Sequence, residues 1–356
     1  MKNKIISINI IGKVPPPIGG VAIHTLRLYQ WLKKEKDIDV KLTALNKNNL
    51  DDKNIQYSGN YVIWIIKKLI FGFKEDVIHY QGSNYYGLLV LSIIKKIHPN
   101  FKLVWTIHGE YFIDRMKNKK LFLFTIKVID KIITVNENIK NQLIELECIK
   151  NNIQVISPFL MPENYNKNYN KILDKYKQDN EIILLFNAYK LKFNDENKEI
   201  YGLNTLIEAF QYIDINTKLI LLIPSINNKE RMYYNSLLEE LNIEYRKRIV
   251  LISDINIDGW KYINSADIFI RPTITDGDAL SVKESIYMDK VTVVSDCTIR
   301  PDNVILFKTS CSKDLANKIN FILNSDKKSV AIKKDGNNIV FYTKLYQKII
   351  GESAVL

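Results

Sequence analysis

At 356 residues, with 46% apolar and 25% charged residues, the chain has the composition of a soluble globular protein and is too long for one ordinary core, so two domains are expected. Its three cysteines, Cys148, Cys297 and Cys311, match neither a zinc site nor a disulfide framework and suit a reducing compartment. The net charge of +12 is unevenly placed: residues 1–160 hold 24 Lys and Arg against 13 Asp and Glu, leaving 27 against 26 for the remainder, so an acidic partner is expected for the first half.

The amino-terminal run MKNKIISINIIGKVPPPIGG reads as a first strand and a Gly/Pro loop rather than a signal peptide, and no stretch approaches the roughly 20 apolar residues of a membrane-crossing helix. Strand-like runs then alternate with amphipathic helices. IISINII is followed by a helix over about 21–34, DVKLTAL by one over 61–74, and DVIHYQ by one over 85–96. KLVWTIH precedes a helix over 117–129, KIITVN one over 138–147, and IQVIS closes the series. The rhythm lapses over 158–180 and restarts with EIILLFNA, KLILLIP, RIVLIS, ADIFIRP, VTVVSD and NVILF, with helices between them. This is a βα repeat with buried parallel strands. The expected division is residues 1–160, a linker over 161–180, a second domain over 181–335, and a carboxy-terminal helix and tail over 336–356. Two doubly wound α/β domains in tandem are expected to hold a ligand beyond the carboxyl ends of their strands.

Arg271 to Asp296, RPTITDGDALSVKESIYMDKVTVVSD, is the stretch around which the chemistry is expected. Thr275, Asp276, Gly277, Asp278 and Ala279 form a turn before a helix from about Leu280. A helix mouth after small residues offers free backbone N–H groups and a positive dipole end, a seat for phosphate. Asp276 and Glu284, eight residues apart, add two carboxylates suited to the hydroxyl groups of an attached sugar. Asp276-Gly277-Asp278 is formally a D-x-D, which elsewhere holds a divalent cation. Here the helix mouth supplies positive potential, and acidic residues also serve as helix caps, so no metal is expected.

Four further features are candidates. Gly19 and Gly20 open a helix after a strand, where missing side chains let a ligand come close to backbone, although neither a dinucleotide fingerprint nor a P-loop is present. His24, one turn in, has two readings: a packed helix-face ring or a substrate contact. His108 ends an apolar strand, where such folds keep their chemistry; His79 ends another, and His98 reads as solvated. Lys190 and Lys192 follow EIILLFNA and are candidates to neutralise a departing diphosphate. YVIWIIKKLIFGFK and RMKNKKLFLFTIK interleave aromatic and basic residues in helical patterns; a core-facing helix with a basic outer side would explain either alone, but with the charge excess of the first half they favour peripheral contact with an anionic inner-leaflet surface. No DNA or RNA module appears, so a nucleic-acid partner is not expected.

PPPIGGVAIHTLRL, WTIHG, YGLNTLIEAF and ADIFIRPTITDGDALSVKES together resemble glycosyltransferase family 4, also called glycosyltransferase group 1, over nearly the whole chain. The resemblance implies an α/β GT-B fold, two Rossmann-like domains facing across a cleft, with the carboxy-terminal helix packing back toward the first domain. It implies a retaining transfer, with no resident cofactor, from a nucleotide-diphosphate sugar to a glycan acceptor, which with the basic first half suggests a polyprenyl-diphosphate-linked acceptor. The setting would be surface polysaccharide assembly (O-antigen, capsule or exopolysaccharide) at the cytoplasmic face of the plasma membrane. Asp276 would touch the donor sugar, Glu284 the ribose, and the amides near Ala279, Leu280 and Ser281 the diphosphate. Gly19 and Gly20 would face that diphosphate from the other domain, and His108 would sit beside the transferred sugar. The chain departs from the family pattern at three points: Asp276 stands for the usual Glu, Ala279 for a glycine, and Tyr201 for a lysine. Lys190 is then the candidate for the first member of the basic pair, with Arg271 as a compensating cation. A sugar-nucleotide-binding scaffold without turnover, or a nucleotide-sugar epimerase of the same fold, are the alternatives.

Overall fold

The computed structural model describes residues 5–16, 18–82, 84–109, 120–146, 152–163, 165, 172–178, 180–214, 216–253, 258–276, 279–325 and 338–351. The chain divides into two compact units, Met1–Glu163 with Asn337–Leu356, and Asn164–Gly336.

In the first unit the strands are β1 (Ile6–Gly12), β2 (Ile38–Ala44), β3 (Ile55–Tyr57), β4 (Val77–Tyr80), β5 (Lys102–Ile107), β6 (Lys131–Thr134) and β7 (Ile153–Val155). They form one sheet in the order β3-β2-β1-β4-β5-β6-β7, every pairing parallel. Helices α1 (Gly20–Leu32), α2 (Tyr61–Phe71), α3 (Tyr85–Ile97), α4 (Lys120–Val128) and α5 (Glu137–Glu145) connect them. Parallel strands covered on both faces need near-continuous apolar runs, which is what Ile8, Ile10, Ile78, Leu103, Val104 and Ile133 supply at full burial.

The second unit repeats the plan with β8 (Ile182–Asn187), β9 (Thr217–Leu222), β10 (Ile249–Ile252), β11 (Ile268–Arg271), β12 (Val291–Ser295) and β13 (Ile305–Phe307). Their order is β10-β9-β8-β11-β12-β13, again all parallel. Helices α6 (Leu203–Phe210), α7 (Asn228–Glu239), α8 (Ile243–Arg246), α9 (Gly259–Ser265), α10 (Leu280–Tyr287) and α11 (Ser312–Asn324) accompany them. Helix α12 (Ile339–Gly351) returns to the first unit, burying Ile339, Tyr342, Leu345, Tyr346 and Ile349 among Ile8, Ile10 and Leu28.

Both sheets are doubly wound, and each reverses its strand order once, between β1 and β4 in the first unit and between β8 and β11 in the second. Ligands in open α/β sheets bind beyond the carboxyl ends of the strands at such a reversal. The expected α/β class, with two doubly wound Rossmann-like sheets, is what the two units show. Two elements escaped the periodicity reading for local reasons: β3 is a three-residue edge strand whose side chains are largely exposed, and α8 is a single turn. The expected helix over 117–129 is described from Lys120.

Candidate functional site

Beyond the β1/β4 reversal of the first unit stand the Gly/Pro loop, Gln81 and, after β5, His108. Asn46 fixes that loop: its Oδ1 accepts from the Val14 amide at 2.9 Å, and its Nδ2 donates to the carbonyls of Val14 at 2.8 Å and Pro16 at 2.7 Å. The loop delivers the chain to α1, capped by Gly19 in extended conformation with no side chain to satisfy the first helical amides. A Cβ at Gly19 would meet nothing within 4 Å. Within this unit, then, glycine at 19 leaves open space in front of uncapped N–H groups, and Gly20 begins the helix itself.

His24 is fully buried. Its Nδ1 lies 2.8 Å from the Pro158 carbonyl and its Nε2 3.3 Å from the Tyr342 hydroxyl. Of the two readings of this residue, the structure places the packed ring: both nitrogens are taken and no surface remains for a sugar. His79 is likewise buried rather than open to a ligand, with Nδ1 2.6 Å from Tyr346 Oη and Nε2 2.7 Å from Thr106 Oγ1. Burial pushes His24 down to about 4 and His79 to about 3, because the charged imidazolium loses its hydration. His98, expected to be solvated, is tied to the Leu69 carbonyl at 2.9 Å. His108 alone of the buried group keeps partial exposure. Its Nε2 lies 2.7 Å from Gln81 Oε1, and its ring packs edge-on to His24 at 5.1 Å. Burial and the neighbouring rings of His24 and His79 hold it neutral, well below the usual histidine range.

In the second unit the β8/β11 reversal carries an ionic cluster. Arg271, the last residue of β11, donates from Nη1 to the carbonyl of Asn187 at the end of β8 at 3.0 Å, and from Nε to Asp276 Oδ2 at 3.3 Å. Its guanidinium lies over the Tyr201 ring at 4.9 Å. The sequence reading missed Arg300. It reaches back 24 residues to donate from Nη1 to the same carboxylate oxygen at 3.0 Å and from Nη2 to Thr273 Oγ1 at 3.2 Å, with its side chain only 3% exposed. Burial alone would raise the Asp276 carboxyl, but Arg271 and Arg300 outweigh it and hold the group below the ordinary carboxylate range. Two guanidinium groups against one carboxylate leave the cluster with an excess positive charge. The guanidinium of Arg271 thus stands against Tyr201, the residue in place of the expected lysine, and shares the Asp276 carboxylate with Arg300.

The neighbouring backbone is equally constrained. Gly202, the cap of α6, has φ +76, and a Cβ there would lie 1.8 Å from the Pro272 carbonyl oxygen, so only glycine lets these two loops close on each other. The Ile274 amide donates to the Ile200 carbonyl at 2.9 Å across the same seam. Glu199 accepts from the amides of Tyr201 at 2.6 Å and Leu203 at 2.9 Å, capping α6. Lys190 is exposed, and its charge is felt at the Tyr201 hydroxyl. Ala279 caps α10 without a side-chain bond, so the amides of Leu280 and Ser281 begin the helix with no help from the cap residue. Glu284 lies on the buried face of α10 with Val282, Ser285 and Ile286. Gly277 and Asp278 lie outside the described residues.

Residues 18–163 match the model of the family described as Glycosyltransferase Family 4. No curated protein matches the chain. Among solved structures, HepE of Anabaena in complex with UDP-glucose superposes with a TM-score of 0.69 at 12% identity, covering 98% of this chain and 100% of its own. A glycosyltransferase from Rickettsia africae gives 0.69 at 17%, covering 98% and 99%. The UDP-GlcNAc 2-epimerase of Methanocaldococcus jannaschii gives 0.62 at 18%, covering 96% and 100%. The expected resemblance to glycosyltransferase family 4 therefore stands over residues 18–163, and along the whole chain the likeness to these structures is one of fold.

Proposed function

We propose that this protein is a retaining glycosyltransferase that moves a sugar from a nucleotide-diphosphate donor to a lipid-linked glycan acceptor in surface polysaccharide assembly, at the inner face of the plasma membrane. The observation that carries the reading is the Arg271–Asp276–Arg300 cluster just before the mouth of α10, whose cap residue Ala279 makes no side-chain bond. A leaving diphosphate gains negative charge as the glycosidic bond breaks. Fixed cations and backbone dipoles aimed at that charge need no reorganisation when it forms, which is commonly worth several kcal/mol. Asp276 is poorly suited to covalent attack, since its Oδ2 already accepts from two guanidinium groups. Its role is instead to orient the arginines and to accept from a sugar hydroxyl, with Glu284 toward the ribose and His108 beside the transferred sugar. With this positive charge in place the reaction is proposed to need no metal.

The acceptor and membrane part of the proposal is supported by α2. Its helix has no buried residue, and Phe71, Val62 and Ile70 are 77%, 63% and 60% exposed beside Lys67 and Lys68. A soluble core-facing helix would bury that stripe, whereas an apolar face flanked by lysines suits an anionic leaflet.

A panel of nucleotide sugars screened by thermal shift, followed by transfer to a polyprenyl-diphosphate acceptor in excess chelator, tests this. Stabilisation by one donor and chelator-resistant transfer are expected. Loss of transfer in chelator with rescue by Mg²⁺ or Mn²⁺ overturns metal independence, and no response to any donor favours a scaffold. The likeness to a UDP-GlcNAc 2-epimerase makes epimerisation the second reading. Conversion of donor with no acceptor present would establish it.

A further inference from the structure

The polar side chains behind His108 form a hydrogen-bonded chain whose sense is set by which end of the Gln81 amide faces His108. Gln81, one residue beyond β4, is fully buried. Its Nε2 donates to Thr106 Oγ1 at 3.4 Å and lies 3.0 Å from His79 Nε2, from which Thr106 Oγ1 is 2.7 Å. If that ring nitrogen accepts from the amide it carries no proton, and the proton of His79 is then on Nδ1, 2.6 Å from Tyr346 Oη. With its amide thus turned, Gln81 presents Oε1 to His108 Nε2 at 2.7 Å. A carbonyl oxygen only accepts, so His108 must donate from Nε2.

We infer that Gln81 is a positioning residue for His108, holding it as the Nε2–H tautomer so that Nδ1 is its hydrogen-bond acceptor, and that Tyr346 of α12 sets the direction of the chain through His79. The tautomer of a histidine is generally fixed by the bond its other nitrogen makes. The network is sealed from water on the inner side: His79, Gln81 and Thr106 are at most 1% exposed, and an unpaired polar group there costs about 1–3 kcal/mol. With the Gln81 amide in this orientation, one tautomer of His108 follows. It makes His108 an acceptor toward a sugar or acceptor hydroxyl, not an acid. The consequence for turnover rests on the glycosyltransferase reading above; the tautomer itself does not.

The test uses the full chain labelled with ¹⁵N-histidine, which has only four histidines to resolve, and long-range ¹H–¹⁵N correlation, assigned by single histidine replacements. The wild type should show His108 protonated at Nε2. Gln81→Glu keeps an oxygen acceptor and should keep that pattern, whereas Gln81→Met should give a mixture of tautomers. In transfer assays Gln81→Met should lower kcat about 10- to 100-fold with the donor KM within threefold, and Gln81→Glu should restore part of the loss. Tyr346→Phe, which removes one hydroxyl and keeps the ring, should disturb the His108 pattern from the far end even if Gln81→Met fails to fold. A wild-type His108 protonated at Nδ1 overturns the inference, as does an unchanged pattern in Gln81→Met or Tyr346→Phe. Absence of any transfer activity would count against the proposed function and leave the spectroscopic result to decide this one.

Discussion

The two units carry their candidate groups at equivalent points of equivalent sheets, yet the electrostatics are opposite. At the β1/β4 reversal the first unit has assembled neutral groups, His24, His79, Gln81, Thr106 and His108, joined by hydrogen bonds whose direction matters. At the β8/β11 reversal the second unit has assembled ions, Arg271, Asp276 and Arg300. A neutral network can orient and accept but supplies no fixed charge. An ion cluster with one excess cation supplies charge, at the cost of burying it. The comparison also shows that net charge does not locate the buried ionic cluster. The first unit holds nearly all of the chain's positive excess, but described lysines such as Lys67 and Lys68 sit on an outward helix, while the charged cluster lies in the half that is nearly balanced.

The comparison is broken most directly in the ionic half. Asp276→Ala and Glu284→Ala should each lower transfer by about 10²–10³-fold, measured as labelled sugar transferred by protein whose circular dichroism is unchanged; a folded double variant with intact turnover would refute the donor assignment.

The next effect belongs to the neutral half. His24 and His79 have folded pKa values of about 4 and about 3 against 6.5 in the unfolded chain. The unfolded state therefore binds more protons below pH 6.5, and stability that is fully present above 6.5 is lost as pH falls toward the folded values. At about 1.4 kcal/mol per pH unit for each group, moving from pH 7 to pH 5 should cost roughly 3–4 kcal/mol in urea unfolding. A flat profile would mean that the rings are hydrated.

Arg300→Met sharpens the contrast from the ionic side. It removes one of the two cationic partners of a buried carboxylate and should destabilise the second unit by about 3 kcal/mol, read from its urea midpoint. A cost below about 1 kcal/mol would show that Arg271 alone suffices. The smallest effect is expected on the surface. Ile70→Ser with Phe71→Ser should weaken binding to vesicles containing anionic phospholipid by about tenfold, from the apolar area lost, leaving the unfolding midpoint in place. Equal binding by this variant would remove α2 from the membrane proposal.

The sequence by itself determined the alternation of strands and helices, the parallel two-sheet architecture, the carboxy-terminal helix and the stretch from Arg271 onward. Those features are written in local periodicity: a run such as IILLFN is buried on both faces wherever it lies, and the turn before Leu280 is contiguous in the chain. Only the tertiary structure decided which polar side chains meet. Arg300 finds Asp276 across 24 residues, His108 finds Gln81 across 27, and Tyr346 finds His79 across 267. Each of those meetings depends on strand order and on which helix covers which strand, and apolar spacing carries no record of either. For the same reason His24 and His79, which share their sequence setting with the candidate residues Gly20 and His108, are core groups: the helix that buries them begins more than 250 residues later.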